Sequence, residues 1–159
     1  MEVNRKPKVL LVDDEDMVLT SIRTLLLIEA EHEVESFTNP ARAVEYLESH
    51  PVDLIVSDYM MPGMNGIQLL GHARRLQPEA TRVLLTGHAD SASAIRAINE
   101  VGLFHYLEKP WDNAQLLLVI RQAVERALLF RELKDTIAAL GSAQSTIRES
   151  QLRLLKAFL

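Results

Sequence analysis

The chain has 159 residues and a formal net charge of −5; 48% of its residues are hydrophobic, 5% are aromatic and none is cysteine. That length fits about one domain with an appendage. An acidic balance without a basic stripe argues against a nucleic-acid-binding module, and the lack of cysteine removes disulfides, thiolate zinc sites and thiol nucleophiles. The longest apolar runs, residues 25–28 and 116–120, fall far short of the ~20 residues of a membrane-spanning helix. The N-terminal stretch lacks the layout of a secretory signal, so a cytoplasmic location is expected.

In chain order, KVLLV (8–12) is a short apolar run that stops at Asp13. Behind a group of acids, Met17, Val18, Ile22, Leu25 and Leu26 recur at helical spacing, and acids suit the positive end of a helix dipole. HEVESF (32–37) alternates like a strand. Asn39-Pro40 reads as an N-cap followed by proline at the first helical position, opening a helix through ARAVEYLESH. VDLIVSD (52–58) is a strand, broken in its polarity at Asp53 and ending on Asp58, with the turn formers Pro62, Gly63, Asn65 and Gly66 beyond it. NGIQLLGHARRLQP is a helix stopped by Pro78, TRVLLTGH a strand, SASAIRAINEVG a helix ended by Gly102, and LFHYLEKP a strand. Asp112 or Asn113 caps the long helix that follows.

Strand and helix alternate five times with short connections. That pattern forces an α/β fold: a doubly wound, five-stranded parallel sheet with helices on both faces and an extended C-terminal helix. The consecutive apolar residues of VLLV, LIV and VLL fit strands covered on both sides. Ligands of such sheets bind in the crevice at the carboxyl ends of the strands. The strand exits read Asp13-Asp14-Glu15, Asp58, Thr86-Gly87 and Lys109-Pro110. Three carboxylates in one crevice repel one another unless a cation joins them, and oxygen ligands without His or Cys suit Mg²⁺ or Mn²⁺. With a Lys ammonium and a Thr hydroxyl opposite, the set forms a cradle for a doubly charged oxyanion and equips a carboxylate to take up a phosphoryl group.

The motifs LLVDDE, DLIVSDYMMPGMNG, VLLTGH and YLEKPW, in this order and at these strand exits, resemble the response-regulator receiver domain of two-component signalling, the CheY-like superfamily, over about residues 8–126. The resemblance implies a flavodoxin-like fold in which Asp58 is the phosphoacceptor. It implies that Asp13, Asp14 and Asp58, with the backbone carbonyl of Met60, hold Mg²⁺. It implies that Thr86 hydrogen-bonds the phosphoryl group, that Lys109 pairs with it, that the Lys109-Pro110 bond is cis and that Tyr106 is a switch aromatic that follows Thr86. The partners it implies are a histidine kinase or phosphotransfer protein and an output domain. The KPW form is similar to receivers joined to cyclic-dinucleotide enzymes, kinases or activator modules.

Other readings stand beside these. Glu15 fits a helix-start acid better than a metal ligand. Tyr106 also fits a half-buried strand aromatic, and His88 is either a surface loop residue or a neighbour of the site. His32, His50, His72 and His105 are scattered without metal spacing and receive no role, and Trp111 is expected to pack at the start of the last helix. Two further function classes compete: a Mg²⁺-dependent phosphohydrolase with Asp58 as nucleophile, and an idle receiver serving as a dimerisation module. The first expects a second acid two residues after the nucleophile, where Met60 stands. The second has no need to tolerate clustered carboxylates.

A receiver needs its last helix only to about residue 128, which predicts a domain over 1–128 and an appendage over 129–159. In the appendage Phe130, Leu133, Ile137, Leu140, Gln144, Ile147, Gln151, Leu154 and Phe158 are spaced alternately three and four apart. That seven-residue repeat predicts a coiled coil and a parallel homodimer. The alternative is a helix that folds back on the domain, with Gly141 dividing it in two. The ending LLKAFL has no stop signal, which predicts a fragment or a linker to an output domain.

Overall fold

The structure is a computed structural model that describes residues 5–140 and 145–159, apart from the side chains of residues 88 and 145–147. Five strands, β1 (Lys8–Val12), β2 (Glu33–Phe37), β3 (Leu54–Asp58), β4 (Thr81–Thr86) and β5 (His105–Glu108), form one sheet in the order β2-β1-β3-β4-β5. All neighbours are parallel, with Leu10 opposite Ile55 and Asp58 opposite Leu85. Between them run α1 (Asp16–Glu29), α2 (Pro40–Ser49), α3 (Gly66–Leu76) and α4 (Ser91–Glu100); α5 (Asn113–Ala139) and α6 (Ser145–Ala157) follow.

Alternate strand residues feed two apolar layers. Val9, Leu11, Leu54, Val56, Val83 and Leu85 face α1 and α5, whereas Leu10, Val12, Ile55 and Leu84 face α2, α3 and α4. Local chemistry sets the helix starts. Asn39 accepts from the Ala41 N–H at 2.9 Å with Pro40 at the first position, as expected. Asn65 and Gln68 form a reciprocal capping box, each bond 2.9 Å. Of the two candidates at α5, Asp112 is the cap, accepting from the Ala114 N–H at 2.7 Å. At α1 no side chain caps; Glu15 occupies the N-cap position without a side-chain bond.

The C-terminal stretch departs from the single coiled helix expected. α5 ends at Ala139 and α6 packs back on α5, so the repeat from Phe130 to Phe158 is divided between two helices. Gly141 falls between them in the sequence, where glycine costs a helix about 1 kcal/mol relative to alanine. Gly141 and Gln144 lie outside the described residues, as does the side chain of Ile147. Along this stretch Ile137 and Leu155 are buried, whereas Leu133, Leu140, Leu154 and Phe158 are exposed. Leu155 takes the inward position that the repeat had assigned to Leu154, because an antiparallel pair presents a different face from a parallel coil.

The inner face of α5 changes character along its length. Leu116, Ile120, Ala123 and Ala127 are buried against the sheet; one turn on, Arg131 reaches Asp53 at 2.8 Å and Lys134 pairs with Glu79. Charged contacts to the base of β3 and β4 thus continue the apolar seam past residue 128.

Candidate functional site

Three strand exits meet at one end of the sheet. Asp13 follows β1 directly, is 1% exposed, and accepts the Glu15 N–H on Oδ1 at 2.9 Å. Asp58 is the last residue of β3 and 5% exposed. Asp14 is exposed beside them, and one carboxylate oxygen from each of Asp13, Asp14 and Asp58 lies within 4.8 Å of the others. Lys109 directly follows β5, and its bond to Pro110 is cis, as expected. Its backbone N–H donates to the Thr86 carbonyl at 2.7 Å, and its Nζ stands 3.0 Å from Asp58 Oδ1 and 3.4 Å from Asp13 Oδ2.

The electrostatics follow from burial. Desolvation pushes the Asp58 carboxyl up, the hydrogen bond and charge of Lys109 pull it down, and the net shift is upward. Asp13 is likewise raised by burial and by Asp58, against the Glu15 N–H and Lys109. Burial alone would lower Lys109; its bonds to Asp58 and Asp13 override that and raise it. One ammonium therefore faces more carboxylate charge than it neutralises. Among the described residues the donor set is all oxygen, three carboxylates with no nitrogen or sulfur ligand, which fits a small hard cation such as Mg²⁺.

The remaining predicted residues sit as follows. Thr86 ends β4, fully buried, its hydroxyl donating a long 3.5 Å bond to the Leu107 carbonyl. Tyr106 on β5 is half-buried against the layer that holds α4. Met60 lies two residues past Asp58 with its side chain 62% exposed. Glu15 is exposed and contributes its backbone N–H to Asp13, not a metal ligand. The side chain of His88 lies outside the described residues. His32, given no role from sequence, proves half-buried at the opposite end of the sheet, both ring nitrogens buried and unbonded among the described residues.

Sequence reasoning missed two supports. Gly66 opens α3 directly over the phosphoacceptor candidate: a Cβ there would stand 2.1 Å from the Asp58 carbonyl oxygen. The signal was present in Asn65-Gly66, but read only as a turn. Ser91, at the start of α4, donates to Glu108, which is paired in register with Thr86, and so joins α4 to the edge strand next to Lys109.

A family model of the response regulator receiver domain matches residues 9–121. The hydrogenase transcriptional regulatory protein HoxA of Cupriavidus necator is 36% identical over 122 residues, 77% of this chain and 25% of that protein. The phosphoglycerate transport system transcriptional regulatory protein PgtA of Salmonella typhimurium is 31% identical over 146 residues, 92% of this chain and 33% of that protein. Among solved structures, the signal receiver domain of an HD domain-containing protein from Pseudomonas fluorescens superposes with a TM-score of 0.72 at 37% identity, covering 77% of this chain and 98% of that one. The chain thus spans a quarter to a third of the length of these curated relatives. Among the described residues, no helix is long and apolar enough to cross a membrane. With the match spanning all five strands and every acid of the crevice, the chain belongs to the response regulator receiver domain family, the signalling module of two-component response regulators.

Proposed function

We propose that Asp58 is the phosphoacceptor of a two-component phosphorelay, phosphorylated by a histidine kinase or phosphotransfer protein. The carrying observation is the single ammonium of Lys109 held between Asp58 and Asp13, beside three carboxylates whose oxygens lie within 4.8 Å of one another. A carboxylate oxygen of Asp58 attacks phosphorus; an O–P bond forms and the donor's P–N bond breaks, the electron pair leaving with the donor imidazole. Lys109 swings its charge from the carboxylates to the phosphoryl oxygens, and the Thr86 hydroxyl exchanges its long bond to Leu107 for one to the same oxygens. Asp13, Asp14 and Asp58, with the Met60 carbonyl, would hold Mg²⁺, which supplies charge neutralisation for the transferring group.

Thr86 and Lys109 are joined through their backbones, and β5 carries Tyr106 between β4 and the α5 connection. Movement at the exits is therefore relayed to the β5 face and along α5 to the C-terminal helices. An output module is the expected recipient of that movement; in the relatives, transcriptional regulation is the printed role. A homodimer through the appendage belongs to the same reading, supported by the exposed Leu133 on α5 and Leu140 at its C-cap. Replacing both by glutamate should lower the sedimenting mass to that of one chain; an unchanged dimer would remove α5 from the interface.

The test is intact-mass spectrometry after incubation with acetyl phosphate and Mg²⁺. A gain of one phosphoryl group, absent with EDTA and absent in Asp58→Asn, is expected. Equal labelling of the Asp58→Asn chain would sink the assignment.

A further inference from the structure

At the end of the sheet away from the phosphoacceptor crevice, three guanidiniums gather. Arg82 is 8% exposed; its Nε and Nη1 donate to the carbonyls of Gly102, Pro78 and Ala80 at 3.3, 3.3 and 3.0 Å. Gly102, at φ +62°, is held between Arg82 and Arg74: a Cβ there would stand 3.0 Å from Arg82 Nη2 and 3.6 Å from Arg74 Cζ. The Arg126 guanidinium lies 5.3 Å from the centre of the Phe104 ring. Among the described residues none of the three pairs with an acid. Burial, with Arg74 and Arg126 close by, lowers Arg82 to about 10. Carbonyl oxygens orient such a cation but do not cancel its charge, and buried charges are ordinarily paired.

Two cavities adjoin this cluster and share Arg126, Phe130 and Phe158. One, of about 130 Å³, is lined by polar atoms and reaches Arg82. The other, of about 450 Å³, is apolar, with Phe104, Leu129 and Leu133 in its wall. The second alone is within the ~300–1,000 Å³ range of small-molecule sites. Glu79 and Glu125 also line these cavities, Glu79 paired with Lys134; among the described residues neither forms an ion pair with the three guanidiniums, which leaves cationic surface at one end and uncovered apolar surface at the other.

We propose that the joined cavity binds a small amphipathic anion, its carboxylate or phosphate head against Arg82 and Arg126 and its apolar body among Phe104, Phe130 and Phe158. The site does not involve Asp58 or the residues around it. Because its walls come from β4, α5 and α6, an occupant bridges the sheet and the C-terminal hairpin.

The experiment is calorimetric titration of the full chain with decanoate, below its micelle concentration, against decanol and inorganic phosphate. Decanoate should bind about tenfold more tightly than decanol, a difference of about 1.4 kcal/mol, and more tightly than phosphate. Arg82 is too buried to replace safely, so the variants are Arg126→Met, which keeps the apolar stem, and Phe158→Ser; both residues are exposed. Each should weaken decanoate several-fold, with phosphoryl uptake at Asp58 retained as the check on folding. Equal affinity for decanoate and decanol, equal affinity for phosphate and decanoate, or indifference to both variants would overturn the proposal. So would absence of decanoate binding in a chain that sediments as a dimer through Phe158, which would make the cavity an interface between copies.

Discussion

Strand β3 has a buried acid at each end, and the two are handled differently. Asp53, just before the strand, is fully buried and closed: it accepts the Lys8 N–H at 2.7 Å, Arg5 at 3.0 and 3.3 Å on its two oxygens, and Arg131 at 2.8 Å. Asp58, at the other end, meets one ammonium that it shares with Asp13, and lies beside the Asp14 carboxylate as well. Residue type, strand and burial are the same. The count of donors differs, and it separates an acid whose charge is spent on architecture from one that still has charge to offer a cation and a phosphoryl group.

The largest effect should be on phosphoryl uptake. Asp58→Asn is expected to abolish the mass gain, whereas Asp53→Asn should retain it in whatever fraction remains folded. Loss of uptake in folded Asp53→Asn would break the distinction between the two ends. Stability should respond in the opposite order. Asp53→Ala leaves two arginines and a backbone N–H without their acceptor; because Arg5 and Arg131 are each about a third exposed, they partly rehydrate, and a loss of about 2–4 kcal/mol in denaturant unfolding is expected.

Mg²⁺ sharpens the contrast further. At a hundredfold excess over its dissociation constant, binding only to the folded chain should add about 2.7 kcal/mol. The gain should vanish in Asp58→Asn and survive in variants of Asp53 that fold; equal stabilisation of Asp58→Asn would place the ion elsewhere. Without Mg²⁺, Asp58→Asn should itself stabilise the fold, by less than Asp53→Ala destabilises it. Its carboxyl is raised in the folded chain, chiefly by burial, so the ionised form is penalised there. The advantage should fade as pH falls through the folded pKa, since the wild-type carboxyl is then neutral as well. An Asp58→Asn chain less stable than wild type in EDTA at neutral pH would show that Lys109 already compensates the site.

The site end of the sheet was legible because strand exits are local: each acid, Thr86 and Lys109 is fixed by the residue at which an apolar run stops. The base was not. Asp53 read only as an interruption in VDLIVSD, and its partners Arg5 and Arg131 lie 48 and 78 positions away in opposite directions. No local periodicity encodes such a pairing. Gly66 was visible as a turn former, but its close approach to the Asp58 carbonyl follows from the packing of α3 on the tip of β3. The C-terminal repeat left a coiled coil and a folded-back helix both open for a related reason. A seven-residue apolar spacing records that a helix has a partner, not whether that partner is a second chain or the same chain turned back, and α6 against α5 is the latter.

The smallest predicted effect belongs to the base and carries the opposite pH sign to the tip. His32 precedes β2, after Glu31 at φ 49°, and both its ring nitrogens are buried without a hydrogen-bond partner among the described residues. Burial is the main cause of its lowered pKa; the Arg121 guanidinium, anchored on the Glu29 carbonyl at 2.8 Å, adds to it, and Asp53 opposes it. The unfolded chain therefore takes up a proton near pH ~6.5 that the folded chain resists. Stability should be full above that pH and decline as pH falls toward the lower folded value, whereas relief of Asp58 at the tip increases stability as pH falls. His32→Phe removes the titration and should flatten the acid-side decline without touching phosphoryl uptake. If wild type and His32→Phe keep a constant stability difference from about pH 7.5 to 5, the ring is solvated on the timescale of unfolding, and the base of the sheet is wetter than its packing implies.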